Sequence, residues 1–245
     1  MNRFLNSDFL YDFTRAPIAL ISCFIVFTLI LLAIFADFIA PTNPFDPASL
    51  NLMNGFTSPM KPNPFTGEVF LMGTDDQGRD LFSAILFGLR VSLFVGLMAV
   101  LLATILGIFL GLLAGYIGGW IDSFIMRLAD IQMTFPSILI AMLIYGVARG
   151  ILPPELRDEM AISVLILSIG LSEWVSIART VRGSTLVEKE KEYIAAARLI
   201  GLNHSRIMIR HILPNVLSPV LVIATITLAL AIIAEATLSF LGVGA

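Results

Sequence analysis

Residues 188–215 read EKEKEYIAAARLIGLNHSRIMIRHILPN, a charged segment that lies between two strongly apolar stretches. Four of its residues recur at helical spacing: Tyr193, Ala196, Ala197 and Ile200. This pattern predicts a helix over 188–200 with one small, apolar side, while the charged residues face elsewhere. A connection that only reverses the chain between two apolar stretches has no need of such a helix. This segment is therefore the most informative part of the sequence.

The residues after that helix carry stop and start signals. Gly201 ends the helix, as glycine does after a last turn, and the bend there is predicted to need a positive φ. A second short helix is predicted over 203–211, and Pro214 is well placed to open the next helix. Together these signals predict a helix, a bend and a helix that lie flat at a membrane surface.

The composition indicates a membrane protein. Of the 245 residues, 58% are hydrophobic and only 13% are charged, which excludes an ordinary soluble globular protein. A membrane-spanning helix needs about 20 apolar residues to cross about 30 Å of hydrocarbon. Five stretches meet this requirement: 16–40, 91–116, 123–147, 160–177 and 216–234. The predicted fold class is all-α, a polytopic transmembrane helical bundle with five spans.

Glycines and prolines predict how the spans are built. Gly107, Gly111 and Gly115 are spaced by four residues, so they form a small-residue stripe that favours close packing of the second span against another helix. Pro136 predicts a kink in the third span. Residues 41–90 hold several prolines together with Asn, Asp and Gly, and they are predicted to form an extramembrane loop without long regular elements.

Four ionisable residues in or near the spans are candidates for a pathway or for structural ion pairs. Arg127 and Asp130 lie three residues apart on one helical face, so a local, structural ion pair is expected rather than a transport role. Glu173 lies within the fourth span, where an ionised carboxylate costs about 3 kcal/mol. It is expected to face protein, water or a partner such as Arg179. Glu235 ends the fifth span, and it either lines an external pathway mouth or reaches headgroup water.

Two motifs in the charged segment carry a resemblance to a known family. Residues 195–201, AAARLIG, followed after nine residues by 211–214, HILP, resemble the coupling loop of binding-protein-dependent ABC importer permeases. In that family the loop lies in the cytosol and docks into a groove on the ATP-hydrolysing subunit. Ala195 stands where the family has Glu. The resemblance implies that eight residues contact the ATPase subunit: Tyr193, Ala195, Ala196, Ala197, Gly201, His211, Leu213 and Pro214.

A second resemblance lies upstream. Residues 72–80, MGTDDQGRD, followed by 88–93, GLRVSL, resemble the signature of the dipeptide, oligopeptide and nickel permeases. With the coupling loop downstream, the chain is similar to a "C" type permease with the type I ABC importer fold. The resemblance implies four segments: an interfacial segment 1–15, a first transmembrane helix 16–40, an external loop 41–90, and a core domain 91–245 with the coupling loop 179–214.

The placement of basic residues predicts the orientation in the membrane. Seven of the fifteen Lys and Arg residues lie within 179–214, which the positive-inside rule assigns to the cytosol. Counting spans backwards puts the amino terminus in the cytosol and 41–90 outside. The family resemblance implies that the membrane is the cell membrane of a bacterium or archaeon. The family usually continues into a sixth helix after 238–242, so the sequence is expected to be truncated before it.

The expected function is that of a permease subunit in an ATP-driven importer of peptides or related small solutes. The family resemblance implies a homologous second permease, two ATPase subunits and an external solute-binding protein as partners. The sequence holds no phosphate-binding loop, no hydrolase or metalloprotease motif, and a single cysteine, Cys23. The chain is therefore expected to be no enzyme, with no cofactor, metal site or nucleic-acid partner.

Two other classes of protein remain as alternatives. A secondary transporter has the same hydropathy, but it typically places discontinuous helices and ionisable residues in the middle of the membrane. A membrane-embedded enzyme needs a nucleophile and base, or metal ligands, at matched depth, and none is evident. The solute, whether dipeptide, oligopeptide, nickel or another, does not follow from the sequence.

Overall fold

The computed structural model describes residues 13–46 and 50–242, so most of the predicted interfacial segment 1–15 lies outside the described residues. The described residues are mainly helical and contain no strand, only two isolated bridges. The nine α-helices named here are α1 Pro17–Ile34, α2 Ala36–Ile39, α3 Leu81–Ile117, α4 Gly119–Met133, α5 Ser137–Ile151, α6 Ala161–Glu188, α7 Glu192–Leu199, α8 His204–Ile207 and α9 Leu213–Phe240. Short 3₁₀ turns occupy Leu52–Asn54 and Pro154–Leu156, and a π-helical turn, Met208–Ile212, joins α8 to α9.

Four of these helical stretches are long and apolar enough to cross a membrane: Pro17–Ile34, Leu81–Ile117, Ala161–Glu188 and His204–Phe240. The pair α4 and α5 passes the same test together but is bent by 97°, so it is one broken span or a re-entrant loop. With the bent pair counted as one span, the total is the predicted five. The fold is an all-α, polytopic transmembrane helical bundle.

The third span departs from its prediction, because a break replaces the expected kink at Pro136. Helix α4 ends at Met133 and α5 begins at Ser137, with Pro136 in an extended conformation between them (φ −56°, ψ 133°). Proline has no N–H to donate, and its ring disfavours a helical conformation of the preceding residue. Here both effects act, and the helix stops and starts again in a new direction.

Four predicted boundaries also differ from the observed ones. Helix α3 begins at Leu81 rather than at 91, because the Asp80 carboxylate accepts hydrogen bonds from the Ser83 backbone N (3.1 Å) and Oγ (2.6 Å) and so caps the helix. Helix α6 continues past 177 to Glu188, and α9 continues past 234 to Phe240. The short helix predicted over 188–200 is α7, which begins only at Glu192.

The chain divides into two compact units between Leu93 and Phe94. In the first unit, Arg90 near the start of α3 holds the end of α1, because its Nε donates to the Ala33 carbonyl (2.9 Å) and its Nη2 pairs with Asp37 Oδ2 (2.8 Å). The predicted extramembrane loop is ordered by buried amides. Asn63 Nδ2, for example, donates to the Met53 carbonyl (3.0 Å) and to Thr57 Oγ1 (2.7 Å).

In the second unit, the predicted glycine stripe packs α3 against α6. A Cβ atom placed on Gly107 would lie 2.7 Å from the side chain of Ile177, and one on Gly111 would lie 2.5 Å from the Ala178 carbonyl oxygen. A Cβ on Gly115 would lie 2.7 Å from Thr185. No side chain fits at these positions, so the prediction of close packing is confirmed.

Candidate functional site

The segment that connects α6 to α9, residues 189–212, is called the connecting segment below. Its inner side is apolar: Ile194 and Ala197 of α7 and Ile207 of α8 are buried in one cluster with Val181 of α6 and Tyr116 of α3. Because α9 contributes Val216 and Val220 to the same cluster, five helices share it, and the connecting segment is packed onto the ends of the long helices and is not a free linker.

The apolar side of α7 is not the one predicted from sequence. Ala197 is buried as expected, but Ala196 is exposed, and Tyr193 and Ile200 are 39% and 75% exposed. The inward residue at the start of α7 is Ile194. Ile194 and Ala197 are three residues apart, so they form an equally regular helical pair, and the spacing alone could not choose between the two faces.

Gly201 makes the bend after α7 as predicted, with φ +78°. The Leu202 N–H donates to the Ala197 carbonyl (3.1 Å) and the Gly201 N–H donates to the Arg198 carbonyl (3.0 Å). This is the hydrogen-bond pattern of a Schellman cap, in which the residue at Gly201 takes the left-handed conformation. The direction of the chain after α7 is thus set by backbone hydrogen bonds.

Side-chain hydrogen bonds tie both ends of the connecting segment together. The buried Glu188 carboxylate, at the end of α6, accepts from Tyr193 Oη and pairs with Lys191 Nζ (2.7 Å). Asn215 Nδ2, in the first turns of α9, reaches Tyr193 Oη (3.0 Å) and the His211 carbonyl (2.9 Å). These five residues, called the Glu188 network, join α6, α7 and α9.

Tyr193 is the residue on which the Glu188 network converges. Partial burial of the phenol, and then its hydrogen bond to the Glu188 carboxylate, raise the pKa of Tyr193. The hydroxyl therefore keeps its proton at neutral pH, and it can donate to Glu188 while accepting from Asn215.

The carboxyl end of α3 holds the connecting segment from another side. Tyr116 Oη lies 2.8 Å from His204 Nδ1, and the Arg198 guanidinium lies over the Tyr116 ring at 5.7 Å. Lys189 Nζ donates to the Gly115 carbonyl (2.9 Å). Sequence reasoning did not single out Tyr116, although it is an aromatic residue at the end of a span and next to a turn.

The outer face of α7 consists of Ala195, Ala196, Leu199 and Ile200, all exposed. Leu199 is 88% exposed and Ile200 is 75% exposed. The remaining predicted site residues, His211, Leu213 and Pro214, lie at the π-helical turn and the start of α9, where Pro214 is exposed. Exposed apolar residues on a helix with a packed inner face are typical of a surface that contacts another protein or a membrane.

Two ion pairs connect α4 to α6, and the one formed by Asp130 corrects a predicted pair and removes one of the alternatives expected for Glu173. Asp122 forms a bidentate pair with Arg182 (Nη2 to Oδ2, 2.6 Å), and Asp130 pairs with Arg179. The predicted local pair between Arg127 and Asp130 is therefore wrong, and Arg127 is exposed. Arg179 is likewise not the partner of Glu173. A pair between two helices depends on how the helices pack, which residue spacing within one helix does not report.

The two carboxylates predicted for a pathway lie in different surroundings. Glu173 is half-buried and lines a cavity beside the break between α4 and α5. Glu235 is 5% exposed, and its Oε1 accepts a hydrogen bond from Ser239 Oγ (2.9 Å).

The chain is similar to known membrane transport proteins. Residues 107–245 match the model of the family described as "Binding-protein-dependent transport system inner membrane component", and residues 5–59 match that of the "N-terminal TM domain of oligopeptide transport permease C". The oligopeptide transport system permease protein OppC of Bacillus subtilis is 35% identical over 240 residues, which are 98% of this chain and 72% of the relative.

The glutathione transport system permease proteins GsiD of Salmonella typhimurium and of Escherichia coli are each 39% identical over 241 residues, 97% of this chain and 72% of each relative. The matches cover the membrane helices, the connecting segment and the loop before α3. By these similarities and by its fold, the chain belongs to the family of inner membrane components of binding-protein-dependent transport systems, the permease subunits of ABC importers.

Proposed function

We propose that the connecting segment is the surface on which a separate ATP-hydrolysing subunit docks, and that the chain is the "C" type permease of an importer of peptides or related small solutes. As a member of its family, the chain is a multi-pass permease subunit of the inner membrane. The relatives that support the solute class are named for oligopeptide and for glutathione, which are both peptides.

The observation that carries the docking proposal is the two-sided character of α7. Its inner residues, Ile194 and Ala197, are buried, while Leu199 and Ile200 on its outer face are almost entirely in solvent. A solvated connector has no reason to keep two large aliphatic side chains exposed beside small Ala195 and Ala196. The same face fits a shallow groove on another protein, where small residues permit close approach and large ones fill pockets.

Movement of a docked subunit would pass from α7 to the spans through contacts already described. The Glu188 network connects α7 to α6 and α9, and Tyr116 connects the same region to α3. Because the inner side of the segment is close-packed, displacement of α7 displaces these helix ends with it. Alternating access then follows as a rigid-body change in the spans.

The proposed assembly contains a homologous second permease, two ATPase subunits and an external solute-binding protein. In this arrangement the amino terminus and the connecting segment face the cytosol, and residues 41–90 face outside, in agreement with the basic residues of 179–214. The ATPase subunits supply the energy, because the sequence holds no phosphate-binding loop of its own. Tyr193, Ala195, Ala196, Ala197, Gly201, His211, Leu213 and Pro214 form or shape the docking surface.

The test is a substitution on the outer face of α7 in the assembled transporter. Leu199→Asp should abolish co-purification of the ATPase subunit, or uncouple ATP hydrolysis from solute uptake, while the permease stays inserted. The matched control is Glu190→Ala, which changes an exposed residue just before α7 and should leave both measurements unchanged. Normal docking and uptake with both Leu199→Asp and Ile200→Asp would overturn the proposal.

A further inference from the structure

A polar cavity lies where the break between α4 and α5 faces α6. Its volume is about 210 Å³, and its polar lining comes from Gln132, Ser137, Ser172, Glu173 and Ser176. It is called the Glu173 cavity below. The cavity opens to the surface, where Ser137 and Ser176 are exposed, and its hydroxyl and carboxylate groups have to be solvated by water or bound by a ligand.

The wall of the cavity is held rigid by Gln132. Its Nε2 donates to the carbonyl oxygens of Leu171 (3.0 Å) and Ser172 (2.9 Å), and its Oε1 accepts from Trp174 Nε1 (2.9 Å). These three bonds fasten the end of α4 to α6. Both Nε2 and Oε1 of the Gln132 amide are thereby engaged by α6, so Gln132 is held in place without a ligand.

The charge of the cavity is negative. Glu173 is the one ionisable residue of its lining, and within the described part of the chain no hydrogen bond or ion pair is formed by its carboxylate. Arg179, the basic residue next along α6, is already paired with Asp130 of α4. A half-buried carboxylate without a partner is unfavourable, and the group that compensates it best is a cation that enters the cavity.

The hydrogen-bonding groups define which cation fits. Beside the Glu173 carboxylate, Ser137 and Ser176 contribute two hydroxyl oxygens that can accept hydrogen bonds. A primary ammonium group has three N–H donors, and the carboxylate and two hydroxyls supply three acceptors around one space. The apolar side chains of Met133, Ile140 and Val175 complete the lining and suit the carbon atoms that such an ammonium group carries.

We propose that the Glu173 cavity binds a primary ammonium group of the transported solute, such as the amino terminus of a short peptide. The solute as a transported peptide rests on the proposed function, whereas the ammonium preference rests on the cavity alone. Glu173 then acts as a specificity-determining residue within the membrane part of the pathway.

Protection of a thiol in the cavity wall tests the ammonium preference without any need for transport. In the complete transporter, Cys23→Ser and Met133→Cys are combined, with partner subunits that lack cysteine, and the rate of labelling by N-ethylmaleimide is measured. Alanine amide, which carries a primary ammonium and no carboxylate, should slow labelling about tenfold. N-acetylalanine amide, which has the same shape without the charge, should not.

Two further variants identify Glu173 as the cause. Protection by alanine amide should be lost in Glu173→Gln and kept in Glu159→Gln, which removes an exposed carboxylate elsewhere in the same unit. Equal protection by both amides, protection that persists in Glu173→Gln, or a thiol that N-ethylmaleimide cannot reach would each overturn the proposal.

Uptake measurements separate this inference from the proposed function. If the wild-type transporter takes up peptides, Glu173→Gln should raise the half-saturating concentration of free-amine peptides about tenfold, and Glu173→Asp should restore most of the affinity. An unchanged half-saturating concentration in Glu173→Gln would overturn the inference and leave the importer function standing. A wild-type transporter that takes up no peptide would count against the solute class alone, since the protection experiment still decides the ammonium site.

Discussion

The α3–α6 interface and the connecting segment hold helices together by opposite means. At the interface, Gly107, Gly111 and Gly115 remove side chains, and two backbones approach until no Cβ atom fits. In the connecting segment, long side chains reach across gaps, as Tyr193 does between Glu188 and Asn215. The first arrangement depends on the absence of side chains, and the second depends on specific hydrogen-bonding partners. A substitution is therefore expected to act by steric clash at the interface and by loss of a partner in the connecting segment.

The largest effect on stability is expected from a side chain placed in the α3–α6 interface. Gly111→Leu would bring new atoms onto the Ala178 carbonyl and Val181, and we expect a loss of more than about 4 kcal/mol of stability, with little folded protein recovered. The measurement is the thermal denaturation midpoint and the yield in detergent. Gly88→Leu is the control on the same helix, because a Cβ there meets nothing within 4 Å. Similar losses from both variants would show that the close packing at Gly111 is not responsible.

A double-mutant cycle tests how the Glu188 network stabilises the connecting segment. Glu188→Gln keeps the shape of the side chain but removes the charge that Lys191 and Tyr193 bind, and we expect a cost of about 1–3 kcal/mol. Tyr193→Phe should cost less once Glu188→Gln is present, since the two residues share one hydrogen bond. Hydrogen exchange of residues 189–212, compared with that of α3, reports the local effect. Strictly additive losses would mean that the bond does not stabilise the segment.

Substitution of Gly201 affects backbone conformation alone. Its φ of +78° is unfavourable for residues with a β-branched side chain, and no neighbouring atom lies within 4 Å of a Cβ there. Gly201→Val should therefore destabilise the bend by about 1–3 kcal/mol and reduce ATPase-subunit docking. Gly201→Asn should be much milder, because Asn tolerates the left-handed region. If both variants dock equally well, the direction of the chain at Gly201 does not matter for docking.

The smallest effect is expected at the exposed ion pair between Asp130 and Arg179. Asp130 and Arg179 have side chains that are 65% and 43% exposed, so Asp130→Asn should cost about 0.2–1 kcal/mol. Asp122→Asn should cost more, because Asp122 is only 19% exposed and its pair with Arg182 is bidentate. The two variants are compared by thermal denaturation at low and high salt, and only the Asp130 effect should vanish in salt. The reverse order would contradict the burial argument.

Features that depend on one helix or one turn could be predicted from sequence. The glycine stripe is a repeat of four residues, Gly201 follows the last turn of a helix, and Pro214 opens α9 as expected. Features that depend on two helices could not. Asp130 has candidate partners on its own helix and on α6, and only the packing of α4 against α6 selects Arg179.

Dependence on helix packing also explains why the inward face of α7 and the break at Pro136 could not be predicted. Two faces of α7 have apolar residues at helical spacing, and the choice of Ile194 over Tyr193 as the inward residue depends on where α3 and α6 end. Pro136 predicts a disturbance in the third span, but the contacts of Gln132 with α6 cannot be predicted from the sequence. The cavity next to Glu173 lies beside this break and has no sequence signal of its own.

The break between α4 and α5 also determines the order in which the chain can enter a bilayer. Each half has 15 residues and is about 22 Å long, too short to cross about 30 Å of hydrocarbon. The arginines that pair with α4 are synthesised later, since Arg182 follows Asp122 by 60 residues. At about 5–20 residues per second, the ribosome needs about 3–12 s to make that stretch. During this time Asp122 and Asp130 have no arginine partner on α6, so the two ion pairs that join α4 to α6 form only after α6 has been synthesised.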